Sequence, residues 1–121
     1  MIRAEFFYKK GEPQRFAISG HAGYAESGKD IVCASVSSAV QMAINGITEV
    51  VKVNCKVNVY EDCIECILPP NPRPAATHFV SALRLHLKLL SEDFPNTINQ
   101  NGLLQVLDLG EECIRCSLRK H

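Results

Sequence analysis

The sequence lacks an excess of charge of either sign. Its 121 residues carry 13 lysines and arginines against 13 aspartates and glutamates, so the formal net charge is zero. A protein that holds nucleic acid mainly through the phosphates needs a basic excess, and no run of Lys or Arg supplies one locally. We therefore expect no direct binding of nucleic acid.

We also expect neither a membrane-spanning segment nor a signal peptide. No stretch approaches the roughly 20 apolar residues of a membrane-spanning helix, and Glu5 stands where the apolar core of a signal peptide would begin. We therefore expect a cytoplasmic protein that is not attached to a membrane. Thiols are kept reduced in that compartment, so we expect all six cysteines to be reduced.

The residues that are present predict one folded domain spanning residues 1–121. Hydrophobic residues make up 46% of the chain, which argues against disorder. Alternating apolar residues and turn signals predict strands over 1–10, 14–19, 55–60, 63–68, 103–109 and 113–118. Apolar residues at three- and four-residue steps predict a helix from about Val32 to Val50, capped by Asp30, and a second helix over 75–92. The order ββαββαββ predicts an α+β domain in which two helices pack on one face of a mostly antiparallel sheet.

Two C-x-x-C pairs, Cys63 with Cys66 and Cys113 with Cys116, form a candidate zinc site. Each pair falls within a predicted strand, where residues three apart point to opposite faces of the sheet. One pair therefore cannot easily chelate one ion. We interpret these four cysteines, and Cys55, as core residues of strands, and we expect neither a metal nor a cofactor.

Residues 23–30 nearly match the phosphate-binding loop G-x-x-x-x-G-K-[ST]. The last position of that motif supplies a hydroxyl to magnesium, whereas here it is Asp30, and Glu26 adds a second negative charge within the loop. The pattern therefore favours a glycine-rich loop that ends at a capping aspartate over a nucleotide site.

His21 and Cys33 form the third candidate site. His21 follows the second predicted strand, and Cys33 falls in the first turn of the predicted helix. The unpaired N–H groups of a helix N-terminus stabilise a thiolate and can hold an oxyanion, while a nearby imidazole can take the proton of the thiol. The two residues could form the site of a cysteine hydrolase. Equally, a lone cysteine beside an apolar stripe is often a core residue.

The motif around these residues resembles the ribosomal-processing cysteine protease family (Prp). It reads Gly20-His21-Ala22, then a short spacer with Gly23, then Gly28-x-Asp30-Ile-Val-Cys33-Ala, followed by Val36-Ser37. The resemblance is strong over about residues 18–40 and weaker, through the order of elements, to about residue 93.

The resemblance implies an α+β fold, a homodimer and a Cys/His protease that removes the N-terminal extension of a large-subunit ribosomal protein. By position, Cys33 corresponds to the nucleophile and His21 to the general base. Asp30 and Ser37 match supporting polar positions. The segment that would close over substrate contains four small residues: Gly20, Ala22, Gly23 and Gly28. The alternative is a non-catalytic module for ribosome assembly or protein interaction, with the same fold and an inert Cys33.

Overall fold

The computed structural model describes residues 1–20 and 27–102 of the chain, and the side-chain surroundings of 1–20 and 31–99. Its elements, in chain order, are β1 (Ile2–Lys9), β2 (Glu12–Ser19), α1 (Ser27–Asn45), a π-helical segment (Gly46–Val50), β3 (Lys56–Val59), β4 (Cys63–Ile67), α2 (Pro74–Asp93) and β5 (Ile98–Gly102). The predicted His21, Ala22 and Gly23, and the predicted strands 103–109 and 113–118, lie outside the described residues.

The strands form one sheet in the order β3-β4-β2-β1-β5. The pairs β1–β2, β2–β4 and β3–β4 are antiparallel, and β1 pairs with β5 in parallel. The turn between β1 and β2 consists of Lys10 and Gly11, both at positive φ, as a tight two-residue hairpin requires. The α+β class and the mostly antiparallel sheet are thus confirmed.

Strand β5 is not among the predicted strands. Its sequence, INQNG, has a single apolar residue, so it shows no alternation for a pattern to detect. Pairing with β1 creates the strand: Ile98 lies opposite Ile2, and its side chain is buried. Long-range pairing outweighs the weak local propensity here.

Both helices cover the same face of the sheet. The apolar stripe predicted from Val32 to Val50 is buried as far as Ile47 in the π-helical segment, whereas its last residue, Val50, is exposed. The buried residues belong to the same core as the apolar side chains of α2 and the inward-facing side chains of β1 and β2, where the Phe6 and Phe16 rings stack with centroids 5.9 Å apart. The buried part of the stripe consists of Val32, Val36, Val40, Ala43 and Ile47.

The start of α1 corrects two predictions. The helix begins at Ser27, so Asp30 is its fourth residue and not its N-cap. Cys33 accordingly lies in the second turn and not in the first. The unpaired N–H groups and the dipole of a helix act mainly over its first turn. Their predicted stabilisation of the Cys33 thiolate is therefore weaker than for a cysteine in that turn.

At Gly46 the helix changes from α to π geometry. Gly46 is buried, and a Cβ at this position would overlap the ring of Phe79 on α2. The close approach of the two helices therefore depends on a glycine at this point. Helix α2 begins at Pro74, where proline suits the first helical position, one residue before the predicted start.

The 20 residues Ile31–Val50 form a helix that is long and apolar enough to cross a membrane, with a mean hydropathy of 1.4. This corrects the expectation that no stretch approaches that length. By itself the finding is weak, because a helix that packs against a protein core passes the same test. The buried stripe on this helix faces the sheet.

Candidate active site

Cys33 lines a groove of about 280 Å³ that is formed by three parts of the fold. Helix α1 forms one wall, the inward-facing ends of β1 and β2 contribute Ile2, Ile18 and Gly20, and the hairpin of β3 and β4 forms the opposite wall, from Val59 to Ile64. The groove thus lies beside Gly20, at the end of β2, and beside the part of α1 that begins at Cys33.

Helix α1 presents a row of residues to the groove at four-residue intervals. Cys33, Ser37 and Gln41 all line it, because residues four apart lie on the same face of a helix. Each of them directly follows a buried valine of the stripe, at positions 32, 36 and 40. The stripe therefore fixes the rotation of the helix, and the rotation directs this neighbouring row toward the groove.

Cys33 is half-buried and carries a thiol rather than a disulfide. It packs against the edge of the core while lining the groove. Ser37, one turn further along α1, has an exposed side chain in the same groove. The arrangement places a cysteine sulfur and a serine hydroxyl one helical turn apart along one groove.

Gly20, at the end of β2, is fixed by contacts that exclude a side chain. Its φ is +81°, and a Cβ at this position would lie 2.7 Å from the carbonyl oxygen of Met1. Its N–H donates to the carbonyl of Asp62 at 3.0 Å. The residue that precedes His21 in the chain is therefore held between the N-terminal strand and the β3–β4 turn.

The β3–β4 turn was not among the predicted site residues. Within it, the Tyr60 N–H donates to the carbonyl of Cys63 at 2.7 Å, and the exposed Glu61 lines the groove. The turn is distant from Cys33 in sequence, and it reaches the groove because β4 pairs with β2, with Cys63 opposite Ser19. No local signal in the sequence indicates that pairing.

The other predicted site residues divide into two groups. Gly28 and Asp30 belong to the first four residues of α1, and their side-chain surroundings are not among those described. His21, Ala22 and Gly23 lie outside the described residues. The structure therefore brings together Gly20, Cys33 and Ser37 out of the predicted set.

The cysteines of β4 point to opposite faces of the sheet, as the strand spacing predicts. Cys66 belongs to the main core beneath the helices, whereas Cys63 packs with Ala17 on the other face. Cys63 is disulfide-bonded, so the expectation that all six cysteines are reduced is wrong for this residue. Cys55 and Cys66 are thiols.

A larger cavity, of about 670 Å³, lies between α1 and α2. Small and apolar side chains line most of it, together with His86 and two serines, and it contains no cysteine. In the described part of the chain, the cavity with the largest volume is therefore not the one that contains Cys33. The smaller groove is the one that Cys33 lines.

Comparison with known proteins decides the class of chemistry. Residues 1–99 match the family model described as cysteine protease Prp. The chain belongs to the cysteine protease Prp family. It is accordingly a cysteine protease, and the alternative of a non-catalytic module is not favoured.

Individual relatives agree with this assignment. The ribosomal processing cysteine protease Prp of Bacillus subtilis (strain 168) is 26% identical over 89 residues, which cover 69% of this chain and 80% of that protein. The crystal structure of SMU.848 from Streptococcus mutans has a TM-score of 0.72 at 24% identity, covering 89% of this chain and 96% of the other. That of the Prp protease from S. aureus with a covalently linked product peptide has a TM-score of 0.76 at 21% identity, covering 84% and 98%. The two structural likenesses show a common fold.

Proposed function

We propose that this chain is an endopeptidase that removes the N-terminal extension of a large-subunit ribosomal protein, with Cys33 as the nucleophile and His21 as the general base. The observation that carries the proposal is the position of Cys33, a half-buried thiol on the wall of an open groove. The relative from B. subtilis is named a ribosomal processing protease, and the S. aureus protein is described as an essential one. Both descriptions support a ribosomal substrate.

The proposed reaction is acyl transfer through a thioester. His21 takes the proton of Cys33, and the resulting thiolate attacks the scissile carbonyl carbon. The imidazolium then protonates the leaving amine as the peptide bond breaks. His21 next deprotonates a water molecule, which attacks the thioester carbonyl and releases the carboxylate while the Cys33 thiol regains its proton.

Supporting roles follow from position in the chain. The backbone N–H groups of residues 27–30 have no partner within the helix, and they are the proposed donors to the oxyanion. Asp30 lies among them and is proposed to orient His21. Ser37, in the same groove as Cys33, is proposed to hold the substrate backbone. Gly20, Ala22 and Gly23 are proposed to let the segment between β2 and α1 close over the substrate, whereas Gly28 lies within α1.

We further propose that the protein is a cytoplasmic homodimer that does not bind nucleic acid directly. Three large apolar side chains on the helices, Met42, Leu85 and Leu89, are at least half exposed, and burying them against another surface would be favourable. We propose that a second copy of the chain covers these three side chains. Light scattering tests this: a monomer at micromolar concentration would contradict it.

The test of the activity is cleavage of the precursor ribosomal protein from the same cell by the purified chain. We expect one cut, which removes the N-terminal extension, and no cut by Cys33→Ala. Cys55→Ala is a matched control, because Cys55 is also a half-buried thiol but does not line the groove. This variant should cleave as the native chain does. Absence of cleavage by the native chain would exclude this substrate.

Alkylation tests the dyad without a substrate. Cys33 should react with iodoacetamide faster than the buried Cys66, and His21→Ala should slow the reaction at Cys33 alone. Equal and slow labelling of the cysteines would contradict the assignment of Cys33 as an activated nucleophile.

A further inference from the structure

The β3–β4 hairpin carries two further thiols on one face of the sheet. Cys55 directly precedes β3, and Cys66 lies within β4 opposite Val57. Because side chains alternate along a strand, Cys55 and Val57 point to the same face, and directly opposed residues share a face. Cys55 and Cys66 are therefore diagonal neighbours on one face of the sheet.

The two sulfur atoms are in contact through a hydrogen bond. The thiol of Cys66 donates, which lowers the pKa of Cys55 because the bond stabilises the Cys55 thiolate. The pKa of Cys66 is raised by the same bond, by burial, and by the negative charges of Cys55 and Glu65. The pair thus consists of one thiol whose pKa is lowered and one whose pKa is raised.

The two thiols differ in access as well. Cys66 is completely buried in the core. Cys55 is half-buried and lines an open cavity of about 310 Å³ together with Asn54, Lys56 and Leu68. A reagent in solution can therefore react with Cys55 directly, whereas Cys66 can react only at the Cys55 sulfur, after a group has been attached to that sulfur.

We propose that Cys55 and Cys66 form a two-thiol redox site, separate from the Cys33 groove, that a low-molecular-weight disulfide oxidises to an intramolecular disulfide. Neither residue lines the Cys33 groove. The site therefore does not depend on the proposed peptidase activity.

The chemistry is two successive thiol–disulfide exchanges. The Cys55 thiolate attacks one sulfur of the small disulfide RSSR, so that a Cys55–SR bond forms and RS⁻ leaves. The sulfur of Cys66 then loses its proton and attacks the Cys55 sulfur, which releases the second RS⁻. Both RS⁻ ions take up the protons that the cysteines lost. Overall, two protein thiols lose two electrons, and RSSR is reduced to two RSH.

The first step prepares the second. Once Cys55 is bonded to SR, it carries no negative charge and no longer accepts the Cys66 hydrogen bond as a thiolate. Two of the causes that raise the pKa of Cys66 are then removed, while burial and Glu65 remain. Ionisation of Cys66 becomes easier at the stage when its attack is required.

The experiment exposes the native full-length chain to oxidised glutathione, blocks remaining thiols with iodoacetamide and maps the peptides without reduction. Trypsin cuts on both sides of Cys55, after Lys52 and Lys56, and a glutamate-specific protease cuts after Glu65, between Cys63 and Cys66. We expect a linked Cys55–Cys66 peptide pair that is lighter than the two separate peptides by two hydrogens. A glutathione adduct on Cys55 should appear earlier and decay as the link forms.

Two variants separate the steps. Cys66→Ser should stop at a lasting glutathione adduct on Cys55, and Cys55→Ser should leave Cys66 unmodified. Cys66 is buried, so substituting it can unfold the chain, and the time course in the native chain stands as a test by itself. A lasting adduct on Cys55 in the native chain, or full alkylation of both thiols after oxidation, would overturn the proposal.

Discussion

The backbone N–H of Gly20 donates a 3.0 Å hydrogen bond to the carbonyl of Asp62. This bond joins the end of β2, which directly precedes His21 in the chain, to the turn that forms the wall opposite Cys33. Two parts of the groove lining are thereby joined at the residue that precedes His21 in the chain. The geometry of the groove therefore depends on a glycine with no side chain.

Gly20→Ala should lower both stability and peptidase activity. The backbone at this position has φ +81°, and the new methyl group would lie 2.7 Å from the Met1 carbonyl oxygen. We expect a loss of about 2–4 kcal/mol in the free energy of unfolding, from the strained φ and the steric overlap together. Urea denaturation and kcat/KM with a precursor peptide measure the two effects.

Gly11→Ala is the matched control for that substitution. Gly11 has nearly the same φ, +82°, but a Cβ there would meet no atom within 4 Å. We expect a loss of about 1–2 kcal/mol, from backbone strain alone, and unchanged kcat/KM. Equal losses of stability in the two variants would mean that the contact with Met1 contributes nothing.

Ser37→Ala should reduce activity without reducing stability. Ser37 is exposed in the Cys33 groove, so its removal deletes a hydrogen-bonding group and no packing. The loss of one such bond to substrate corresponds to roughly a tenfold lower kcat/KM. Ser38→Ala serves as the control, because Ser38 is also exposed on α1 but lines the cavity between the helices. If the two variants had the same kcat/KM, the proposed role of Ser37 would be wrong.

Gly46→Ala should destabilise the contact between α1 and α2. The added methyl group would overlap the Phe79 ring, and overpacking of a core typically costs about 1–3 kcal/mol. Thermal unfolding measures the loss. The double variant Gly46→Ala with Phe79→Leu should lose less stability than the sum of the two single variants, because the smaller side chain makes room for the methyl group. Simple additivity would contradict this explanation.

The rate of Cys55 alkylation should depend on pH through the Cys66 hydrogen bond. The thiolate is the reactive form, and the bond lowers the pKa of Cys55, so the rate should reach half its maximum at a lower pH than for an ordinary cysteine. Cys66→Ala removes the donor and should shift this midpoint upward. Cys66→Ser retains a hydroxyl donor and should shift it less. Lys56 is present in all three proteins, so its charge does not account for a difference between them.

The local patterns predicted most of the described secondary structure. The spacing of valines from Val32 to Val40 predicted the helix and its buried face, because a helix with one buried face has apolar residues at a period of about 3.6. The same spacing placed Ser37 one turn beyond Cys33. The start of the helix at Ser27 was missed, since glycine and charged residues give no apolar period there.

The sequence by itself determined the family, through the motif from Gly20 to Ser37, and the helix and strand identities that periodicity records. The tertiary structure decided what lies opposite Cys33. Pairing of β4 with β2 brings the Tyr60–Asp62 turn to the groove. Contacts of this kind join residues far apart in the chain, and their energy comes from burial and strand register, for which a single sequence carries no local signal.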